Sequence, residues 1–389
     1  MRIKKIVIII CCCFLTTGCW DRVEIDRKSF ISTIGVDVGE DIDKEEEVKK
    51  LKPDEPFTDN NLKRINVTYS FPDISQLGPE KGGVAEEKSI NTEAYSMEDS
   101  IAKATAKSSR AISFGHTKLL IISSDLFAYT QVIKEVMDYF QREASLNRNM
   151  LVVMADGDIE DFINYKPNME KNIQSYIAGL IENKASGVIP VTLNDFLINL
   201  DENGNAILPW LVMEKDKNEL KLSGTGVIKD FTFKDVLSST ETIDIQILRG
   251  DLKGGKKVTY KDGHPVDFQI EGIERKIKLN NSNGKLSFLI DLSIEGQIKG
   301  YYFDKNVFSK AVLDEIEKDL NKSLKEEMEQ VIKTIQTKYA VDLIGIREYT
   351  QKYHPTVWKQ VKNNWDEIYK NIIISVNVDT HIRRIGTVK

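Results

Sequence analysis

The sequence predicts an α+β protein in three domains, built on mixed and antiparallel sheets. The C-terminal domain is expected as a curved antiparallel sheet packed on a long helix. Three patterns carry this reading. Leu286, Phe288, Ile290, Leu292, Ile294 and Ile298 alternate with Ser287, Asp291, Ser293 and Glu295, the period of two of a half-buried strand. Val312, Ile316, Leu320, Leu324, Met328, Val331, Ile335 and Tyr339 recur at helical spacing. Between Thr117 and Ala155, two apolar runs flank an amphipathic helical pattern, which suggests a crossover joining two parallel strands. The expected divisions are a leader at 1–18, an N-terminal α/β domain at 19–202, a small middle α+β domain at 203–262 and the C-terminal domain at 263–389.

The leader comes first. Arg2, Lys4 and Lys5 precede a ten-residue apolar run, Ile6 to Leu15, followed by Thr16, Thr17, Gly18 and Cys19. A basic start, a short apolar core and small residues before a cut site make a secretory signal. The run is shorter than the roughly 20 residues a membrane-spanning helix needs. Its Gly18-Cys19 ending resembles the bacterial lipoprotein signal, although Leu15 sits one position early and Thr16 stands in its place. That resemblance implies an S-diacylglyceryl group on Cys19, cleavage before it and an N-acyl group on the new amino terminus. The other reading is an ordinary cleaved signal with Cys19 incidental. All four cysteines lie at or before Cys19, so the chain beyond it has no disulfide and no Cys-based metal site.

Beyond the anchor, Trp20 suits a membrane interface and equally suits packing on the first domain. Ser29–Val38 reads as a strand, and the acid-rich stretch Gly39–Leu62, with Pro53 and Pro56, as a solvated loop. Arg64–Phe71 is a second strand, Leu77–Glu87 a loop, Ser89–Tyr95 a strand and Met97–Ser108 a helix. Thr117–Ile122 reads as a buried strand. Ser124 or Asp125 is then expected to cap a helix whose inner face is Tyr129, Val132, Ile133, Val136, Met137 and Phe140. Asn149–Ala155 is the next apolar strand. Helices are expected at Ile159–Tyr165, at Ile173–Asn183 and after Thr192.

Asn203-Gly204 marks the next division. Strands are expected at Ala206–Glu214, Glu219–Ile228 and Phe231–Val236, a helix at Ser239–Leu248, and a closing Gly/Lys run at Gly250–Lys257. In the C-terminal region the inward positions change from even (Val266, Phe268, Ile270) to odd (Ile273, Ile277, Leu279). Gly272 sits at the switch, so a β-bulge is predicted there. Asn283-Gly284 signals a hairpin. A helix over Val307–Tyr339, some 45 Å long at about 1.5 Å per residue, is expected to lie on its own sheet rather than in a coiled coil. Short helical pieces carry Trp358 and Trp365, and Ile372–Ile382 is the closing strand, with Ile374, Val376 and Val378 toward the long helix.

Cutting before Cys19 leaves 371 residues and takes the formal net charge from −6 to −9 with the loss of three bases. A body of that sign gives no whole-chain reason to bind nucleic acid or anionic lipid. The four histidines, His116, His264, His354 and His381, are scattered and form no metal-binding motif. Gly224-Thr225-Gly226 lies between strands, not before a helix, which argues against a dinucleotide site. No catalytic residue, metal ligand or cofactor site is therefore expected, and the chain is not expected to be an enzyme.

Several segments resemble the Ger(x)C family of spore-germination lipoproteins. They are GCWD at Gly18–Asp21 with Glu24-Ile25, SFGHTK at Ser113–Lys118, Arg148-Asn149 before LVVMADG, LSGTGVIKD at Leu222–Asp230 and ILRGDLKGG at Ile247–Gly255. The most specific is the tail Tyr349–Val388, with its paired Trp, NWDE and IRR-G. The LSGTGVIKD hairpin departs from the family's usual residues at Gly226 and Ile228. The resemblance implies three domains and a lipid-anchored C subunit of a nutrient germinant receptor, on the outer face of the spore inner membrane. Its partners would be a larger membrane A subunit and a permease-like B subunit, with the bilayer held through Cys19. Direct nutrient binding by this chain is not expected. The alternative from another class is a lipid-anchored solute-binding protein serving a transporter.

Overall fold

The computed structural model describes residues 27–44, 50, 62–73, 85–183, 187–214, 219–261, 263–282, 285–301 and 309–385. The leader, Cys19, Trp20, most of the acid-rich loop and the Asn283-Gly284 turn lie outside them.

The first sheet has eight strands. In chain order they are β2 (Thr33–Val38), β3 (Ile65–Pro72), β4 (Glu87–Ala94), β6 (Leu119–Ser123), β7 (Leu151–Ala155), β8 (Ala206–Glu214), β9 (Glu219–Lys229) and β10 (Thr232–Leu237). In space they run β10-β9-β8-β7-β6-β2-β3-β4. The four central strands are parallel and antiparallel strands flank them on both sides. The run Leu119–Ile122 is apolar throughout because its strand is covered on both faces. Leu120 and Ile122 enter one core, Leu119 and Ile121 the other. The first core lies under helices α1 (Met97–Lys107), α2 (Thr130–Arg142) and α5 (Leu193–Asn203), the second under α3 (Ile159–Ile163) and α4 (Ile173–Glu182). The expected parallel β6–β7 pair is present, with Leu119 opposite Leu151.

Two local expectations are corrected. Ser29–Val38 is not one strand: β1 (Lys28–Phe30) pairs in parallel with β5 (Ala111–Ser113) as a separate two-stranded sheet, and the chain turns at Ile31-Ser32 before β2. The cap after β6 is Ser123, whose hydroxyl accepts from Asp125 N, and it opens a short 3-10 turn at Ser124–Ala128. Helix α2 starts only at Thr130, with no side-chain cap. Its buried face is nevertheless the one the spacing predicts.

The second sheet runs β11-β12-β13-β14, with β11 at Gly255–Lys261, β12 at His264–Ser282, β13 at Lys285–Tyr301 and β14 at Ile373–Ile385. The bulge falls at the predicted phase switch: register slips between Ile270 and Gly272, leaving Glu271 unpaired against β13. Pairing of β12 with β13 reaches Ser282 opposite Lys285. The sheet is not antiparallel throughout, because β14 runs parallel to β13. The connection explains this. Helix α7 (Lys310–Thr334) runs back along the sheet, so the chain re-enters it in the direction of β13, and parallel strands require such a crossover. The helix ends in a π turn, Ile335–Tyr339. The predicted stripe from Ile316 to Tyr339 is buried against its own sheet. Helix α7 also covers the sheet's edge: Asn321 Oδ1 accepts from Thr380 N at 2.8 Å and Glu317 Oε1 from Ile382 N at 2.7 Å. Unpaired edge groups are thereby satisfied within the chain.

The segment 203–262 builds no sheet of its own. Its strands β8–β10 extend the first sheet, while helix α6 (Ser239–Arg249) and β11 join the second half. Neighbouring residues divide between the two: Ile228 enters the first core, and Val227 and Leu237 enter that of the C-terminal half. The end of the large sheet is thus covered by α6, which begins with a full capping box between Ser238 and Glu241.

Candidate functional site

Cys19, the one expected site residue, lies outside the described residues. The other sequence features can be placed. His116 packs edge-on against Phe30, ring centroids 4.8 Å apart. Its segment forms the turn between β5 and β6, where Thr117 N donates to Phe114 O and Lys118 N to Ser32 O. His354 Nε2 lies 3.2 Å from Tyr349 Oη, and His381 lies 3.3 Å from Asp379. The histidines are not brought together, and among the described residues no cluster of three His, Cys, Asp or Glu suits a metal. Gly224 has φ +104, and a Cβ there would run into the Leu237 carbonyl oxygen. The Gly-Thr-Gly motif therefore serves close packing of β9 on β10.

A cleft of about 890 Å³ opens between the two halves of the molecule. One wall is α5, with Asp195, Ile198 and Glu202; another is the end of α6 with Arg249 and Asp251. The third is the loop 341–345 with the first turn of α8 (Ile346–Tyr353), and the start of a later helix, α9 (Trp365–Asn371). Asp342 organises that loop. Its carboxylate accepts from Ile344 N at 3.1 Å, Gly345 N at 3.0 Å and Arg347 N at 2.5 Å. Burial raises its pKa against the pull of these donors. Three arginines then brace the loop. Arg275 Nη2 donates to Ile344 O at 2.7 Å, Arg249 Nη1 to Leu343 O at 3.2 Å, and Arg347 pairs with Glu202 across the cleft at 3.5 Å. Arg347 also lies over the Trp358 ring, 5.5 Å from its centroid. Trp365, 5% exposed, closes the floor.

A largely buried ion triad joins α6, β11 and α7. Lys257 of β11 reaches Asp244 of α6 and Glu327 of α7, each at 2.5 Å. Two carboxylates share one ammonium, so the more deeply buried Asp244 rises to about 6, chiefly through burial. Burial works against the Lys257 charge, but its two carboxylates outweigh that and raise its pKa. The second part of the closing Gly/Lys run Gly250–Lys257 is the start of this pinned edge strand, β11.

The cleft has no local signature because its residues come from four distant segments. A partial signal did exist. ILRGDLKGG and NWDE were singled out as separate pieces, and the fold brings Arg249, Asp251 and Lys253 of the first to Trp365 and Asp366 of the second. The lining pairs no nucleophile with a base. Its acids mostly serve ion pairs and caps.

Comparison with known proteins agrees with this architecture. Residues 21–213 match the family model "Spore germination protein N-terminal domain" and residues 223–386 match "Spore germination B3/ GerAC like, C-terminal". Relatives in Bacillus subtilis (strain 168) include spore germination protein YndF, 28% identical over 100% of this chain and 98% of its own. Spore germination protein B3 is 25% identical over 95% of each chain. The crystal structure of the GerBC protein superimposes with a TM-score of 0.59 at 24% identity, over 83% of this chain and 94% of that one. The family is not known to be catalytic. Two models that together span nearly the whole chain, on a fold shared with GerBC, place the chain in the Ger(x)C family of spore germination proteins.

Proposed function

We propose that this chain is the lipid-anchored C subunit of a nutrient germinant receptor. It is held by diacylglyceryl and N-acyl groups on Cys19 at the outer face of the spore inner membrane, beside membrane A and B subunits. It acts there as a non-catalytic scaffold or signalling subunit. The observation that carries the reading is the pair of family models over residues 21–386, directly after a leader that ends Gly18-Cys19. Among the described residues no helix is long and apolar enough to cross a membrane, so a lipid would supply the attachment. The two halves are unlike, an eight-stranded mixed sheet and a four-stranded sheet on one long helix. That speaks against the matched closing lobes of a solute-binding protein.

Lipid contributes about 0.8 kcal/mol per buried CH₂, and two or more chains give stable attachment. Cys19→Ala is expected to abolish lipidation and signal processing, to remove the protein from the membrane fraction and to weaken germination. Unchanged membrane retention and germination in this variant would overturn the lipoprotein reading.

A further inference from the structure

The net charge of the chain is negative, but its distribution is not even. From Ser100 to Ser124 there is no Asp or Glu, while Lys103, Lys107, Arg110 and Lys118 fall in the same span. The fold brings more positive charge to this stretch. Strands β1 and β5 pair in parallel with Lys28 opposite Ala111, which sets Arg27 and Lys28 beside Arg110. Lys118 stands at the foot of β6, tied through Lys118 N to Ser32 O, next to the exposed His116. Lys103 pairs with Asp99, and Lys107 donates to Asn91 O, so both are engaged to one side. Arg27 and Lys118 are exposed, and Lys28 and Arg110 half-exposed. None of these four meets a carboxylate among the described residues.

This is also where the chain arrives from Cys19. Eight peptide steps separate Cys19 from Arg27, and at about 3.5 Å each they reach at most about 28 Å. An anchored chain therefore keeps Arg27, and with it the β1–β5 pair, within about 28 Å of the headgroups. The whole-chain sign gave no reason to expect affinity for anionic lipid; the local charge does.

We propose that the surface formed by the β1–β5 pair and the turn 114–118, beside the large sheet, docks on an anionic lipid surface through Arg27, Lys28, Arg110 and Lys118. The proposal rests on the lipid-anchor reading for its biological setting. Docking would fix the height and tilt of the two halves above the membrane, which attachment at Cys19 alone does not do. Asp21, Glu24 and Asp26 of the tether oppose the attraction. The Debye length is about 8 Å at physiological salt, so the charges act only when this face touches the lipid surface.

The test is flotation of the mature chain, residues 19–389 with Cys19→Ser, so that no lipid takes part. The vesicles are equal parts phosphatidylglycerol and phosphatidylcholine, compared with phosphatidylcholine alone. Each Lys or Arg near an anionic surface contributes about 1 kcal/mol, a factor of about five. The variant Arg27→Gln/Lys28→Gln/Arg110→Gln is expected to bind the anionic vesicles roughly a hundredfold more weakly at low salt. A matched variant on the exposed face of α7, Lys310→Gln/Lys318→Gln/Lys322→Gln, is expected to bind as the parent does, and thermal unfolding confirms that both variants are folded. Binding lost in about 1 M salt, where the screening length is about 3 Å, supports the proposal. Equal binding to both vesicle types, or equal loss in the two variants, overturns it. The mass of the N-terminal peptide from the membrane fraction reads the anchor separately: an unlipidated Cys19 removes the anchor reading and leaves the vesicle result standing on its own.

Discussion

Replacing Lys257 by Met should destabilise the C-terminal half more than almost any other single surface-to-core change in it. Lys257 is 8% exposed and Asp244 3%, whereas Glu327 is 36% exposed and can turn to water when its partner is gone. The substitution thus strands one buried carboxylate, and breaking a buried pair by removing one partner costs about 3–5 kcal/mol. Replacing both partners by apolar groups is often close to neutral. Lys257→Met/Asp244→Leu should therefore recover most of the loss, and Asp244→Asn alone should cost much less than Lys257→Met. Urea unfolding followed by Trp358 and Trp365 fluorescence reports on this half. A cost below about 1 kcal/mol for Lys257→Met, or no recovery in the double variant, would refute the reasoning.

The same triad sets a pH dependence. The unfolded Asp244 carboxyl titrates at 3.8 and the folded one at about 6. Between these values the native state holds the additional proton, so stability falls as pH rises through the window. The span corresponds to an order of 3 kcal/mol. Asp244→Asn should flatten this slope between about pH 4 and pH 6. Lys257, raised in the folded state, adds stability that is complete below its unfolded value and is lost only as pH rises through the higher folded one.

Three further outcomes can be measured. Gly224→Ala, at φ +104 and against the Leu237 carbonyl, should cost more than about 1 kcal/mol, and a neutral urea midpoint would contradict the packing role given to it. Val376→Ala, at a fully buried position, should cost roughly 2–4 kcal/mol. Deleting the last 18 residues should leave the C-terminal half protease-sensitive while the eight-stranded sheet stays resistant. Calorimetry of residues 20–389 with a panel of nutrients should show no saturable binding; micromolar binding abolished by Arg347→Ala or Trp365→Ala would place the sensor in the cleft.

Legibility of the fold followed the range of the physics involved. Period two in Leu286–Ile298 and the stripe Ile316–Tyr339 were readable because each reports burial of one continuous face. The bulge at Glu271-Gly272 was readable because a bulge changes that period locally. The direction of β14 was not, since Ile374 and Val376 point inward whether the strand is parallel or antiparallel. The split of Ser29–Val38 was hidden for a related reason: Phe30 packs on His116 and Ile34 enters the first core, although the two lie on different sheets. The role of Lys257 was not legible because nothing in a Gly/Lys run announces that Asp244 and Glu327 arrive from positions 13 and 70 residues away. The cleft is the extreme case, formed from four segments with no shared pattern.

The segment 203–262 shows what the two halves can pass to each other. Val227 and Ile228 are adjacent on β9 yet face different cores, and Thr242 of α6 donates to Thr225 of β9 at 3.1 Å inside the protein. Lys229 Nζ reaches Ala340 O at 3.4 Å, and Lys338 pairs with Asp235. A tilt of the C-terminal half must therefore break these buried and semi-buried links or carry β9 and β10 with it. Those strands form one edge of the sheet in which β6, a central strand, starts directly after Lys118 of the proposed membrane-facing surface. Packed cores transmit displacement because they do not deform continuously. A change at the C-terminal half therefore has a mechanical route, through strands alone, to the end proposed to be anchored. A scaffold with such a route can report a partner's conformational change without binding the nutrient itself.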